Sequence, residues 1–200
     1  MRIPKPACLG PHNASAFEEL SVARAYRYRP PYPAEVFTFL TYLIVDEPRR
    51  LLDIGCGTGA LARRLVPLVD QVDAVDVSAT MIEEGKQLLH GNHPHLTWIV
   101  GRVEEVTPAP PYALVTAGDS LHWMEWERVL PRLATLLTLN GHLAIVSNGR
   151  LDTAWDEELM RLIRRYSTIQ DYRAIDLTAE LEQRGLFKVH GTHETTPSSF

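Results

Sequence analysis

Apolar and polar positions change period along this chain, and each change marks an element. Phe17, Leu20, Val22, Ala23 and Tyr26 give a rough helical face, and Val36, Phe37, Leu40 and Leu43 give a clearer one that opens at Pro33 as its first helical residue. Short apolar runs at Arg50–Ile54, Val72–Val77, Leu96–Val100, Ala113–Ala117 and His142–Val146 predict strands buried on both sides. Between them lie helical patterns: about Thr58 to Leu65, stopped near Pro67; a segment capped by Ser78 and carrying Met81, Ile82, Leu88 and Leu89; and Trp126–Leu137, with Val129, Leu130, Leu133, Leu136 and Leu137 on one side. Asn140-Gly141 is expected to end that last helix before the fifth strand. Further on, Ala154–Tyr166 predicts a charged helix, Ala179–Arg184 a short one closed by Gly185, and Phe187–Thr195 an alternating strand.

Strands alternating with helices require right-handed crossovers. The expected fold is therefore α/β: a doubly wound, Rossmann-like, mostly parallel sheet between two helical layers. Leu51 to Ala60 then stands out, because an apolar run closes on Asp53 and is followed by Gly55, Gly57 and Gly59 before the next helix. Glycines at such a turn admit positive φ and a close ligand, while the helix start offers free N–H groups. Asp76, near the end of the second strand, is placed to hold a ribose diol. Gly55, Gly57 and Ala60 also satisfy a dinucleotide fingerprint. The added Gly59, and an acid at Asp53 that would repel a pyrophosphate but accept an ammonium, favour a cofactor with an amino-acid end and an adenosine end.

With these features the chain resembles the class I S-adenosylmethionine-dependent methyltransferases, in particular the type 11 group that acts on small molecules; Leu52 to Gly59 is similar to their first motif. The resemblance implies S-adenosyl-L-methionine as cofactor and a methyltransferase acting on O, N or C of a small-molecule acceptor. Asp53, Gly55, Cys56, Gly57, Thr58 and Gly59 would hold the methionine end, Asp76 the ribose, and Val77 and Met81 the adenine face, with Ala117 closing the fourth strand nearby. In Gly101-Arg102-Val103-Glu104, Arg102 replaces an acid the family often has, which leaves the backbone of Arg102 and Val103 for the adenine. Tyr26, Tyr28, Arg29 and Tyr32, in a run similar to the family's Arg-Pro-x-Tyr-Pro segment, would form a lid (residues 16–33) over the acceptor, with Asp119, Trp123 and Trp155. Asn148, Gly149 and Arg150, beyond the fifth strand, would be further contacts to the acceptor. His122, in a Leu-His-Trp run, is the candidate base, weighed against a role as a donor that holds its loop. The family's sheet has a further antiparallel strand, so the chain is expected to be shortened at its carboxyl end, or its last strand to pair abnormally or against another chain.

Composition narrows the picture. A chain of 200 residues with 45% hydrophobic content fits one domain, here 16–200 behind an irregular leader at 1–15. A net charge of −5 without a Lys/Arg-rich run argues against nucleic acid. No stretch approaches a membrane span, and the two cysteines, Cys8 and Cys56, suggest no disulfide framework, so a cytoplasmic enzyme is expected. His90, His93 and His95 match no tetrahedral metal spacing. A nicotinamide-dependent oxidoreductase and a non-catalytic protein that binds S-adenosylmethionine remain as alternatives.

Overall fold

The computed structural model describes residues 20–148, 156–166 and 177–195. Its frame is a five-stranded sheet of β1 (Arg50–Ile54), β2 (Gln71–Asp76), β3 (Leu96–Val100), β4 (Tyr112–Gly118) and β5 (Leu137–Val146). All neighbours run parallel, in the order β3-β2-β1-β4-β5. The chain enters at the middle of the sheet, winds out to β3, then returns across β1 to β4 and β5. The direction of winding reverses between β1 and β4, the crevice where such sheets take ligands.

Period two along each strand divides the core. Leu52, Ile54, Val75, Val115 and Ala117 face a layer built by α5 (Trp126–Leu136), whose Trp126, Val129, Leu130 and Leu133 are buried on them. Leu51, Val72, Ala74 and Leu114 face the opposite layer, where α2 (Ala34–Tyr42) contributes Phe37 and Leu40 and α3 (Ala62–Leu65) contributes Ala62 and Leu65. α1 (Leu20–Ala25) packs near α4 (Ala79–Lys86), and α6 (Asp156–Tyr166) and α7 (Leu177–Gln183) follow β5. The side-chain hydroxyl of Ser78 caps α4 by accepting from Met81 N–H at 3.2 Å.

The sequence reading needs correction in three places. Helical geometry begins at Ala62 rather than Thr58, because the glycine turn continues through Gly59 at φ +74° and Asp53 takes the first free N–H, that of Ala62. Asn140-Gly141 does not separate a helix from a strand: β5 starts at Leu137, directly after α5, and absorbs the pair as a bulge. Tyr112 faces Leu137 while Leu114 already faces His142. Asp46 pins this bulge by accepting from Asn140 N–H at 2.8 Å and from its Nδ2 at 3.0 Å, so bonds outside the sheet replace the lost ladder bonds.

The third correction concerns residues 187–195, which form no strand. Their anchors lie on opposite faces of the sheet. Phe187 packs against the α5 layer, the His190 ring meets His142 of β5 edge to face at 5.4 Å, and the His193 ring stacks on Phe39 of α2 at 4.4 Å. A segment tied in this way crosses the edge of β5 instead of pairing along it. The expected leader, the first residues of the lid (16–19), Gly149, Arg150 and Trp155 lie outside the described residues.

Replacing Leu133, fully buried beneath β4 and β5, by alanine is expected to cost about 3 kcal/mol and lower the melting temperature by roughly 6–12 °C. Leu139→Ser, at a position 97% exposed on the bulge, should change stability by less than about 0.5 kcal/mol. Thermal denaturation of both variants checks the pair.

Candidate functional site

At the reversal point the carboxyl ends of β1 and β4 border a cleft of about 550 Å³. Its floor is the glycine turn, and the glycines there have different tasks. At Gly55 (φ +62°) an added Cβ would lie 2.5 Å from Ser120 Cβ, and Ser120 Oγ donates to the Ile54 carbonyl at 2.6 Å. This position is bare so that the loop after β4 can close on the end of β1. Gly57 (φ +55°) faces the cleft, with nothing nearer to an added Cβ than Tyr26 Cε1 at 3.9 Å. Gly59 is turned away, and an added Cβ there would meet Trp98 Cη2 at 2.5 Å.

A buried acid, Asp53, and a half-buried one, Asp76, govern the electrostatics. Asp53 Oδ1 accepts from Thr116 Oγ1 at 2.8 Å and its Oδ2 from Ala62 N–H at 3.2 Å. Burial without a cation pushes its carboxyl up to about 7, against the downward pull of these hydrogen bonds. Asp76 Oδ2 accepts from Gly57 N–H at 2.7 Å and Oδ1 from Ser78 N–H at 2.8 Å, and burial raises this carboxyl as well. Each Asp76 oxygen keeps acceptor capacity beyond these bonds, and the residue lines the cleft. Burial also drives up the Cys56 thiol beside them.

Along the β2 side the wall is apolar, with Val77, Met81, Leu88 and Val103. Arg102 lines it too, but its guanidinium turns to Glu125 at 2.7 Å and to Glu104 at 3.7 Å, leaving the ligand side to backbone. Opposite, the segment from Tyr26 to Tyr32 crosses the cleft. Arg29 fastens it by donating from Nη2 to Asp119 Oδ2 at 2.8 Å and from Nη1 to the Tyr26 hydroxyl at 3.2 Å. Asp119 holds a left-handed φ of +48° to meet it. Burial raises the Tyr26 and Tyr32 phenols, so both rings stay neutral.

Of the residues singled out from sequence, the wall brings together Tyr26, Arg29, Tyr32, Asp53, Gly55, Cys56, Gly57, Thr58, Asp76, Val77, Met81, Arg102, Val103, Asp119, Trp123 and Asn148. Four others lie off it. Gly59 packs on Trp98, Ala117 is fully buried in the α5 layer, Tyr28 is 83% exposed beside a separate shallow depression, and His122 is half-buried with its ring 4.5 Å from that of Trp123. The sequence reading missed Ser120 and Met124 from the β4 loop, Glu104, and the arginines Arg63 and Arg64 of α3. Ser120 leaves no trace in sequence, because the glycine it packs on, Gly55, comes from a remote part of the chain. Among the described residues no group of His, Cys, Asp or Glu is arranged to hold a metal ion.

Residues 51–141 match the family model described as a methyltransferase domain. The chain is 34% identical over 149 residues to an uncharacterized methyltransferase of Mycobacterium tuberculosis, covering 72% of this chain and 58% of that protein. It is 30% identical over 162 residues to the malonyl-[acyl-carrier protein] O-methyltransferase of Halalkalibacterium halodurans, covering 74% and 59%. Among solved structures, a candidate type II methyltransferase from Anaeromyxobacter dehalogenans superposes with a TM-score of 0.56 at 25% identity, covering 84% of this chain and 70% of that one. The chain thus spans less than two thirds of the length of the curated relatives it matches.

Gly55→Ala should destabilise the fold by about 3 kcal/mol, from an unfavourable φ and the overlap with Ser120 together. Adding Ser120→Gly should return part of the loss, which a double-mutant cycle in urea would measure. For Asp53, an unfolded carboxyl titrates near 3.8 and the folded one near 7. The stability this group confers is full below the lower value and is lost as pH rises through the upper one. Relative to Asp53→Asn, the wild-type chain should therefore lose unfolding free energy between pH 4 and 8, and parallel pH profiles would contradict this.

Proposed function

We propose, for a chain that belongs through residues 51–141 to the class I S-adenosylmethionine-dependent methyltransferases, that it binds S-adenosyl-L-methionine at the reversal point and methylates O, N or C of a small molecule. The observation that carries this reading is the coupling of the glycine turn to β2 through Asp76, which places a carboxylate with spare acceptor capacity beside an open Gly57. The cleft suits the group in three respects. A Cβ at Gly57 would intrude on the space, Asp53 supplies an acid for an ammonium, and the Val77 and Met81 surface suits a purine.

When bound, S-adenosylmethionine supplies a methyl group on a positively charged sulfur. The residues of this chain position and shield that chemistry. Asp53, once ionised, faces the amino group of the amino-acid end, and Asp76 accepts from the ribose hydroxyls. The Tyr26, Tyr32 and Trp123 rings line the same cleft and favour a desolvated cation by about 1–2 kcal/mol. The Tyr26–Tyr32 segment acts as the lid, latched by Arg29 to Asp119, and keeps water from the transfer. In-line displacement depends chiefly on the alignment of the two reactants, so the acceptor needs a shaped wall more than a strong base. His122 serves as a support of the loop. This reading takes 16–200 as one methyltransferase domain in a cytoplasmic protein, without a nucleic-acid partner; no helix of the structure, among the described residues, is long and apolar enough to cross a membrane.

Calorimetric titration with S-adenosylhomocysteine and with NAD tests the reading. Binding of the first and not the second is expected, and the reverse would overturn it. Transfer of labelled methyl to fractionated metabolites, with malonyl-[acyl-carrier protein] included because a relative carries that name, would then identify the acceptor. No transfer to any acceptor would leave a binding protein. Asp76→Ala should weaken S-adenosylhomocysteine by about 30-fold through loss of the ribose contacts and of the bond to Gly57.

A further inference from the structure

The charged side chains on the cleft wall are engaged with one exception, and Glu104 among them accepts from Glu125 N–H at 2.8 Å. The carboxylates Asp53, Asp76 and Asp119 are each engaged: with Thr116 and Ala62, with Gly57 and Ser78, and with Arg29. Of the arginines on the wall, Arg29 holds Asp119, Arg102 holds Glu125, and Arg63 donates to the carbonyls of Thr58 and Leu89, both at 2.8 Å. Arg64 differs. Its guanidinium carbon lies 4.3 Å from the centroid of the Phe37 ring, and no hydrogen-bond acceptor meets it among the described residues. Phe37 is buried in α2, so the ring is a fixed platform. A guanidinium held over a ring face spends none of its hydrogen-bond donors there, so they are left for a carboxylate, which can bind in bidentate fashion.

The position on α3 indicates which carboxylate. Helical bonding begins at the glycine turn, with Arg63 N–H donating to the Gly59 carbonyl, so Arg64 lies about one turn beyond Ala60, which also lines the cleft. Asp53 is tied to the same helix through Ala62 N–H. An acid and an unengaged cation are thus attached to one short helix on the cleft wall, a pairing that complements a zwitterion with both charges on one carbon. We propose that Arg64, held on Phe37, receives the α-carboxylate of the cofactor's amino-acid end while Asp53 faces its ammonium. This rests on the proposed function and adds to it a residue that neither the glycine motif nor the strand ends point to.

The test compares two ligands that share the nucleoside and the thioether. S-adenosylhomocysteine carries the amino-acid end, and 5′-methylthioadenosine lacks it. In wild-type and Arg64→Gln chains, both are titrated calorimetrically at the same pH and ionic strength. Arg64 is exposed, so Arg64→Gln should remain folded, and the second ligand reports that directly. The substitution is expected to weaken S-adenosylhomocysteine by about tenfold or more and leave 5′-methylthioadenosine unchanged. If the ratio of the two affinities is the same in Arg64→Gln as in wild type, the assignment of Arg64 is overturned. A wild-type chain that binds neither ligand would instead overturn the proposed function.

Discussion

The cleft depends on how closely two strand ends approach. β1 and β4 are neighbours in the sheet, yet the chain leaves them in different directions, and between them the loop after β4 must lie on the turn after β1. It does so only because Gly55 has no side chain: Ser120 occupies that space and ties the loop down through the Ile54 carbonyl. Packing here is tight enough that one added carbon would press on the loop that carries Asp119 and Trp123. The shape of the acceptor wall and the shape of the cofactor floor are therefore one constraint.

On that frame the electrostatics follow from burial. Asp53 is placed where no cation among the described residues meets it, so burial raises its carboxyl to about 7 and a cationic ligand group can release the proton. Asp76 carries out two tasks with one carboxylate, organising the backbone of Gly57 and Ser78 while keeping acceptor capacity beyond these bonds. Fixed polar groups of this kind are oriented before any ligand arrives, so little rearrangement opposes binding. The lid is fastened differently. Its latch, Arg29 to Asp119, is partly exposed, and exposed ion pairs are weak enough to exchange. A rigid floor with a loosely fastened cover suits a site that admits two reactants and retains them during transfer.

At the far edge of the sheet the same economy protects β5. This strand has no charged residue, and its outer edge would otherwise be open to pairing. Residues 187–195 cross it, anchored by Phe187 on one face and by His193 on the other, and the bulge pinned by Asp46 interrupts the regular ladder further along. An alternating pattern was thus put to use for two-sided anchoring rather than for strand pairing.

Short apolar runs bounded by helical patterns determined the layers and the parallel sheet, because buried strands and amphipathic helices each leave their own hydrophobic pattern along the sequence. β1 and β3 agree with the sequence reading to the residue, and β2 and β4 within one residue at each end. The glycine turn, Asp53 and Asp76 were legible for a related reason: a backbone approach and a strand-end acid are local features. What sequence could not determine was which way each side chain points and what meets it across the fold. Gly59 belongs to Trp98 rather than to a ligand, and Ala117 to the core, because contacts with residues remote in sequence decide orientation. Ser120 against Gly55, and Arg64 on Phe37, exist only once α2, α3 and the β4 loop are brought together, and those contacts turn a glycine motif into a shaped and charged site.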